Sequence, residues 1–438
     1  MPYQSGNRLS GEHASKLGHL EVLKSPLVQT LVQSFEQTVA SSSTAAIAWQ
    51  PFPNLRQPLD LIFAVDGSLQ VIEDDSPPHK ALAFVKTALM RLDQVALAKI
   101  DKQTPHPYAL RDLMSDSAMY HATVFPLRHV LIPGFSVYNA VRQTIYESLK
   151  DVSLNGEPME TLKWIAYEKW SGDKKDLPGF QCPHCEYDKT TLPYDAEQGK
   201  CPNCQELIYI SDMLGFHLEM VEEAARNSVA SAYMNIHETL LLFTGIRHFW
   251  ESNRDILKRC LFIKDGPLQI RAQYSKLVAP IRRFLKHALK EGVQICLLGQ
   301  EKTGAFVEHL DSIGRNETTN QIFIPDHTYI CEQIQQRPAK GAPYGKDTNY
   351  GAKVFVTMNK RYRLVLNIPI SKPMGSFILN PQVGDLIGVE RILATIPSLL
   401  SSRFENGLMP IELANSIASL STYPSAHVLK IFTEKMIK

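Results

Sequence analysis

The sequence predicts an α/β fold interrupted by a cysteine-rich insertion, and three observations lead there. Short apolar runs rich in β-branched and aromatic residues read as buried strands, among them Leu61–Val65, Cys260–Ile263 and Val293–Leu298. Segments with helical spacing alternate with them, which is the pattern of α/β layers. Two Cys-x-x-Cys pairs fall within a Pro- and Gly-containing stretch at 177–212.

Taken in order, residues 1–50 read as an N-terminal helical segment, with helical spacing from Leu20 to Val39 ahead of Ser41–Thr44. The rest, 51–438, reads as the main domain. A strand-like region at 53–75 is followed by helical spacing from about Pro78 to Lys99. A strand lies within 120–136 and a helix at 137–150. After the insertion, a long helix is expected from about Asp212 to His248, carrying Glu219, Glu222, Glu223 and Glu238. A strand at 258–264, a helix near 275–291 and a strand at 293–299 follow. The segment 335–351, with its Pro, Gly and Lys residues, is a loop. Residues 353–358 and 361–368 form a hairpin, and 384–437 are mostly helical.

A chain of 438 residues suggests two or three domains, or one domain with large insertions. Its apolar fraction of 44% supports a sizeable core. The net charge of +1 neither favours nor disfavours nucleic acid, but the charge is uneven. Residues 247–290 are crowded with Lys and Arg, including Arg282, Arg283 and Lys286, against only Glu251, Asp255 and Asp265. Residues 335–363, including Lys340, Lys346 and Lys353, are opposed only by Asp347. Such patches can hold a phosphate backbone or can be solvated faces. Met1 to Lys16 lack the apolar core of a signal peptide, and no apolar stretch approaches the roughly 20 residues that span a bilayer. The expected location is therefore cytoplasmic, with no membrane association.

The pairs Cys182–Cys185 and Cys201–Cys204 are separated by fifteen residues. Each offers two thiolates on a tight knuckle, and four thiolates complete a tetrahedral Zn²⁺ site. A closed four-Cys set leaves no open coordination position, so the expected zinc is structural. Cys260, Cys296 and Cys331 lie in or near apolar runs and are expected to be buried thiols.

Two apolar runs end at Asp-Gly, at Asp66-Gly67 and Asp265-Gly266. Gly is expected to let the chain turn there, leaving each carboxylate at the mouth of the sheet. Carboxylates are hard oxygen ligands suited to Mg²⁺ or Mn²⁺, and metal ions so held can activate a water against a phosphodiester. A pair of ordinary turns would look the same.

The order of these motifs resembles the NurA nuclease family. Phe63-Ala64-Val65-Asp66-Gly67-Ser68, a long helix, and Phe262-Ile263-Lys264-Asp265-Gly266-Pro267-Leu268 carry the resemblance. Leu297-Leu298-Gly299-Gln300-Glu301-Lys302 is similar to that family's strand ending in Lys, and Gly407-Leu408-Met409-Pro410-Ile411-Glu412-Leu413-Ala414-Asn415 to its closing element. The resemblance runs from about 55 to 420 and implies an RNase H-like mixed sheet flanked by helices. It also implies a Mn²⁺- or Mg²⁺-dependent DNA end-processing nuclease, a homodimer, and partnership with a HerA-like hexameric ATPase in repair or defence. Position by position, Asp66 and Asp265 are implied metal ligands, with Glu238 the chosen helix carboxylate over Glu251, Glu222 and Glu223. Lys302 would neutralise phosphate charge. The chain departs from the family where a Tyr becomes Gly407 and a metal-site His becomes Asn415. Asn can hydrogen-bond at a metal site but cannot take up a proton as imidazole does. A catalytically impaired DNA-binding or assembly subunit is therefore the alternative, and an RNA-directed enzyme a third reading.

Overall fold

The structure is a computed structural model that describes residues 22–35, 47–73, 77–93, 118–130, 132–221, 224–225, 227–315, 319–401, 403–420 and 425–436. Contacts divide the chain into Met1–Ala48 and Trp49–Lys438. In the first unit, helix α1 (Pro26–Ser34) starts with Pro at its first position, where the missing N–H costs nothing. Residues 22–24 are also helical, with a break at Ser25 before α1, and 20–21 and 36–39 of the expected Leu20–Val39 helix lie outside the described residues.

The second unit is organised by one sheet, which among the described residues has eleven strands. Its centre is a meander of β2 (Leu61–Glu73), β3 (Ala81–Asp93) and β4 (Ala118–Arg128), each antiparallel to the last. Strand β9 (Cys260–Asp265) then pairs parallel to β2, and β10 (Cys296–Glu301) parallel to β9. The order β10-β9-β2-β3-β4, with these directions, is that of an RNase H-like sheet. Beyond β10 the sheet continues through the hairpin β12 (Ala352–Met358) and β13 (Tyr362–Ile368), then β11 (Gln321–Phe323) and β1 (Gln50–Pro51). Short strands β7 (Met220–Val221) and β8 (Ala224–Ala225) extend the other edge, and β5 (Gln198–Lys200) with β6 (Leu207–Tyr209) forms a separate ribbon.

Side chains alternate across the sheet and feed two cores. Phe63, Val65 and Phe262 face one layer, built from helices α2 (Val137–Leu149), α3 (Glu157–Ala166), α4 (Asn227–Ser252) and α5 (Val278–Lys290). Ile62, Ala64, Leu261 and Ile263 face the other, built from α7 (Val389–Leu399) and α8 (Met409–Ala418). Helix α6 (Ala305–Ile313) follows β10, and α9 (Ser425–Met436) closes the described chain. No helix among the described residues is long and apolar enough to cross a membrane.

Three expectations are corrected. The segment read as a helix from Pro78 to Lys99 is β3 where it is described. As a central strand with helices over both faces, it buries Ala81, Leu82, Ala83, Val85, Ala88, Leu89, Met90 and Leu92, so it shows no two-residue period. Its Ala and Leu favour helix locally, but pairing with β2 along thirteen residues decides the outcome. The long helix begins at Asn227 rather than Asp212; short 3₁₀ turns occupy 210–219, so Glu219 is not on it. Glu222 and Glu223 lie outside the described residues. Finally, β2 does not stop at Asp66-Gly67. It runs on to Glu73, so only Gly266, at φ +84°, makes the expected turn.

Candidate active site

Asp66 and Asp265 are brought side by side by the parallel register of β2 and β9. Val65 pairs with Lys264, so the next residues, Asp66 and Asp265, are neighbours. Alternation directs both carboxylates toward the α8 face, the face of Ala64 and Ile263. Asp66 is 5% exposed, and its Oδ1 accepts from the Gly67 N–H at 2.7 Å. Burial, then the charges of Asp265 and Glu238, push its pKa up to about 8, with Lys302 pulling the other way. A buried carboxylate so short of positive charge fits a site for a hard divalent cation.

Glu238 reaches the same strand from the opposite layer. Helix α4 crosses β2 so that Oε1 of Glu238 lies 2.6 Å from where a Cβ on Gly67 would be. Its Oε2 is 2.5 Å from Nζ of Lys264, and both side chains are buried. Burial opposes the charge on Lys264, but the Glu238 carboxylate outweighs it and raises the ammonium pKa. Lys264 also donates to the Asp265 carbonyl at 3.1 Å. Two carboxylates on one face and one on the other thus share the end of the β2–β9 pair.

Lys302 follows the last residue of β10, and its Nζ lies 2.9 Å from Oδ2 of Asp265. Helix α8 covers the Asp66 face, and the Leu420 N–H donates to Ser68 Oγ at 3.0 Å just beyond its end. Asn415 is exposed on this helix. Among the described residues, no hydrogen bond joins its side chain to the carboxylates. Gly407 precedes α8, and a Cβ there would meet Glu412 Oε1 at 3.1 Å. Glu251 is exposed in the last turn of α4. Tyr423 lies outside the described residues.

The four Cys of the insertion converge. Their Sγ atoms all lie within 4.8 Å of one another, with Cys182 to Cys204 at 3.8 Å and Cys185 to Cys201 at 3.7 Å. Tetrahedral Zn–S bonds of about 2.3 Å require S···S edges of about 3.8 Å, so the sulfurs fit a tetrahedral thiophilic ion. The knuckles match one another. The His184 and Asn203 N–H groups point at Cys182 and Cys201 Sγ, each at 3.4 Å, and Glu186 and Gln205 take the left-handed conformation after each pair. His184 is no ligand: its Nε2 lies 3.1 Å from the Leu207 carbonyl. Among the described residues, no other group of three or more His, Cys, Asp or Glu gathers its ligand atoms this closely.

No protein-family model matches the chain, and no curated protein matches it. Solved structures do. The NurA nuclease from Sulfolobus solfataricus is 9% identical, with 97% of this chain and 98% of that one covered at a TM-score of 0.35. A NurA crystal structure is 12% identical, covering 96% and 98% at 0.32, and NurA with manganese is 12% identical, covering 97% and 99% at 0.29. The chain is similar to NurA structures over nearly its whole length. Likeness at these identities and TM-scores leaves the functional reading to the residues of the site.

The NurA-like motifs pointed to carboxylates and missed what surrounds them. Lys264, inside the motif, is the buried counterion of Glu238. Next to Glu238, His237 Nδ1 is 2.8 Å from Thr87 Oγ1, and its ring stacks on His121 at 4.3 Å. His121 in turn bonds Asp151 at 2.7 Å and Tyr233 at 3.0 Å. Burial, then the neighbouring His121, hold His237 neutral. Gly67, Thr87 and His121 are in register across β2, β3 and β4. One signal in the sequence is His237-Glu238, adjacent on one helix.

Proposed function

We propose that the chain is a divalent-metal-dependent deoxyribonuclease that processes DNA ends by phosphodiester hydrolysis. The observation that carries this reading is Asp66 beside Asp265 on adjacent parallel strands of an RNase H-like sheet, with Lys302 paired to Asp265. Asp66 and Asp265 would hold Mn²⁺ or Mg²⁺, with Glu238 the third carboxylate and Asn415 a neutral oxygen or nitrogen donor near the same face. The bound metal supplies Lewis acidity and a water of lowered pKa. Asp66, whose pKa burial raises, would hold the ion as a carboxylate. Lys302 offers a positive charge beside Asp265 for the phosphate oxygens, and Lys264 opposes the burial that raises the pKa of Glu238. In the hydrolysis, water oxygen bonds to phosphorus, the ester oxygen leaves, and that oxygen takes a proton.

The Cys182, Cys185, Cys201 and Cys204 set is proposed to hold a structural Zn²⁺ in a ribbon spanning 177–212 within the 51–438 domain, with 1–50 as a separate helical segment. The motif resemblance further suggests a cytoplasmic homodimer acting with a HerA-like hexameric ATPase in repair or defence. The test is degradation of linear DNA with added Mn²⁺. Wild type is expected to degrade it, and Asp66→Ala and Asp265→Ala to lose the activity; equal degradation by wild type and variants refutes the reading. Labelled RNA run in parallel separates DNA from RNA as substrate. A joint peak with the ATPase on size exclusion tests the partner.

Asn415 favours a second reading, a DNA-binding subunit with weak or no catalysis, because no imidazole stands at that position. Wild-type protein that binds linear DNA but leaves it intact with Mn²⁺ would select it.

A further inference from the structure

The two basic runs of the sequence meet in space. Helix α5 turns Ala279, Arg282, Arg283 and Lys286 to one side, and Lys346 and Lys372 arrive from the loops before β12 and after β13. Together they line a cavity of about 410 Å³, within the range of ligand sites. Among the described residues, its only acidic lining residue is Asp347. Two of its cations are already paired, Arg283 with Glu168 and Lys372 with Asp385. Lys286 and Lys346 have no carboxylate partner among the described residues.

Arg282 adds charge from within. Its guanidinium donates only to backbone carbonyls, at 2.6 Å to Lys346, 2.8 Å to Gly345 and 2.7 Å to Asn349. These bonds fix the 345–349 loop but leave its charge without a carboxylate in contact. Burial lowers its pKa to about 10, with the nearby Asp347 carboxylate pulling the other way. The cavity walls are apolar where Ile370, Pro373 and Met374 contribute, which suits a sugar or base beside a phosphate. Tyr350 closes its inner end. The Tyr350 hydroxyl lies 3.3 Å from Thr239 Oγ1, one residue from Glu238.

We infer that this cavity binds a phosphoryl anion, supplied by a nucleic-acid strand or by a free nucleotide. The inference rests on the cavity and its cations and does not depend on the nuclease reading. It is tested on the full chain without added divalent cation, using inorganic pyrophosphate and a labelled twelve-nucleotide thymidine oligomer. The variants are Lys286→Ala/Lys346→Ala, the steric block Ala279→Trp, and a charge-matched control, Lys200→Ala/Lys290→Ala, outside the cavity. The lysine pair and Ala279→Trp are expected to weaken binding at least about fivefold, and the control to bind as wild type. For the oligomer, losing two phosphate contacts should reduce the log–log salt slope by about 1.4. Weakening confined to the oligomer assigns the site to a strand; weakening confined to pyrophosphate assigns it to a free anion. Unchanged binding of both probes by the lysine pair overturns the site, as does full binding by Ala279→Trp.

Discussion

A Cβ atom on Gly67 would lie 2.6 Å from Oε1 of Glu238. Gly67 is therefore a contact residue inside a strand, not a turn, and its bare backbone lets α4 bring a buried carboxylate to the end of the β2–β9 pair. The same Cβ would meet Met234 Cγ at 2.6 Å, so both side chains would have to move to admit it.

Gly67→Ala and Gly266→Ala should fail for different reasons. Gly67 needs space, and crowding there costs about 1–3 kcal/mol. Gly266 has open space but a left-handed backbone, which costs a residue with a Cβ about 1–2 kcal/mol. Urea midpoints read both losses. Nuclease activity should fall further in Gly67→Ala, where Glu238 is displaced; a Gly67→Ala protein as stable as wild type would remove the contact argument.

Asp66 predicts a pH dependence of stability. Its folded pKa is pushed up to about 8, against about 3.9 for an unfolded Asp. Between these values the folded chain retains a proton that the unfolded chain has lost. Stability therefore falls as pH rises from about 4 to 8, by up to about 1.4 kcal/mol per unit. Unfolding midpoints without added divalent cation should show this slope, and Asp66→Asn should flatten it. Added Mn²⁺ at pH 7 should release a proton measurable in weakly buffered solution.

Lys264→Met should destabilise strongly, by about 3–5 kcal/mol, because it strands the Glu238 carboxylate in the core. Lys264→Met combined with Glu238→Leu should recover much of that loss, since no unpaired charge remains. Thermal or urea unfolding of the single and double variants gives the coupling; additive effects would show that the pair is not a unit.

The cysteine site predicts one tightly held metal ion per chain. Elemental analysis should find it in wild type and lose it in Cys182→Ser or Cys201→Ser. Cobalt substitution should give the visible absorption of tetrahedral thiolate ligation. Strong chelators should lower thermal stability without touching the Asp66–Asp265 pair, so DNA cleavage with re-added Mn²⁺ should survive at temperatures where the fold persists.

Local chemistry was legible wherever neighbours in sequence are neighbours in space. Cys-x-x-Cys knuckles, the helix at Val137–Leu149, the β12–β13 hairpin and the apolar runs of β9 and β10 are of this kind. β3 was not legible, because a central strand buried on both faces has no two-residue alternation and its Ala and Leu residues spell a helix. The start of α4 was misplaced because 3₁₀ turns carry no distinct period.

The order of residues supplies the chemical parts: four cysteines at ligand spacing, two Asp-Gly motifs, a helix carboxylate, and two basic runs. These depend on residue type and short-range spacing alone. How they meet depends on the fold. Parallel pairing of β2 with β9 set Asp66 beside Asp265, α4 crossing Gly67 bound Glu238 to Lys264, and α5 packing against the 345–349 loop joined the two basic runs around one cavity. Each of those outcomes depends on strand register and layer packing between segments far apart in the chain, which no local pattern encodes. The two Asp-Gly motifs, alike in sequence, therefore became a close-packed strand position at Gly67 and a true turn at Gly266.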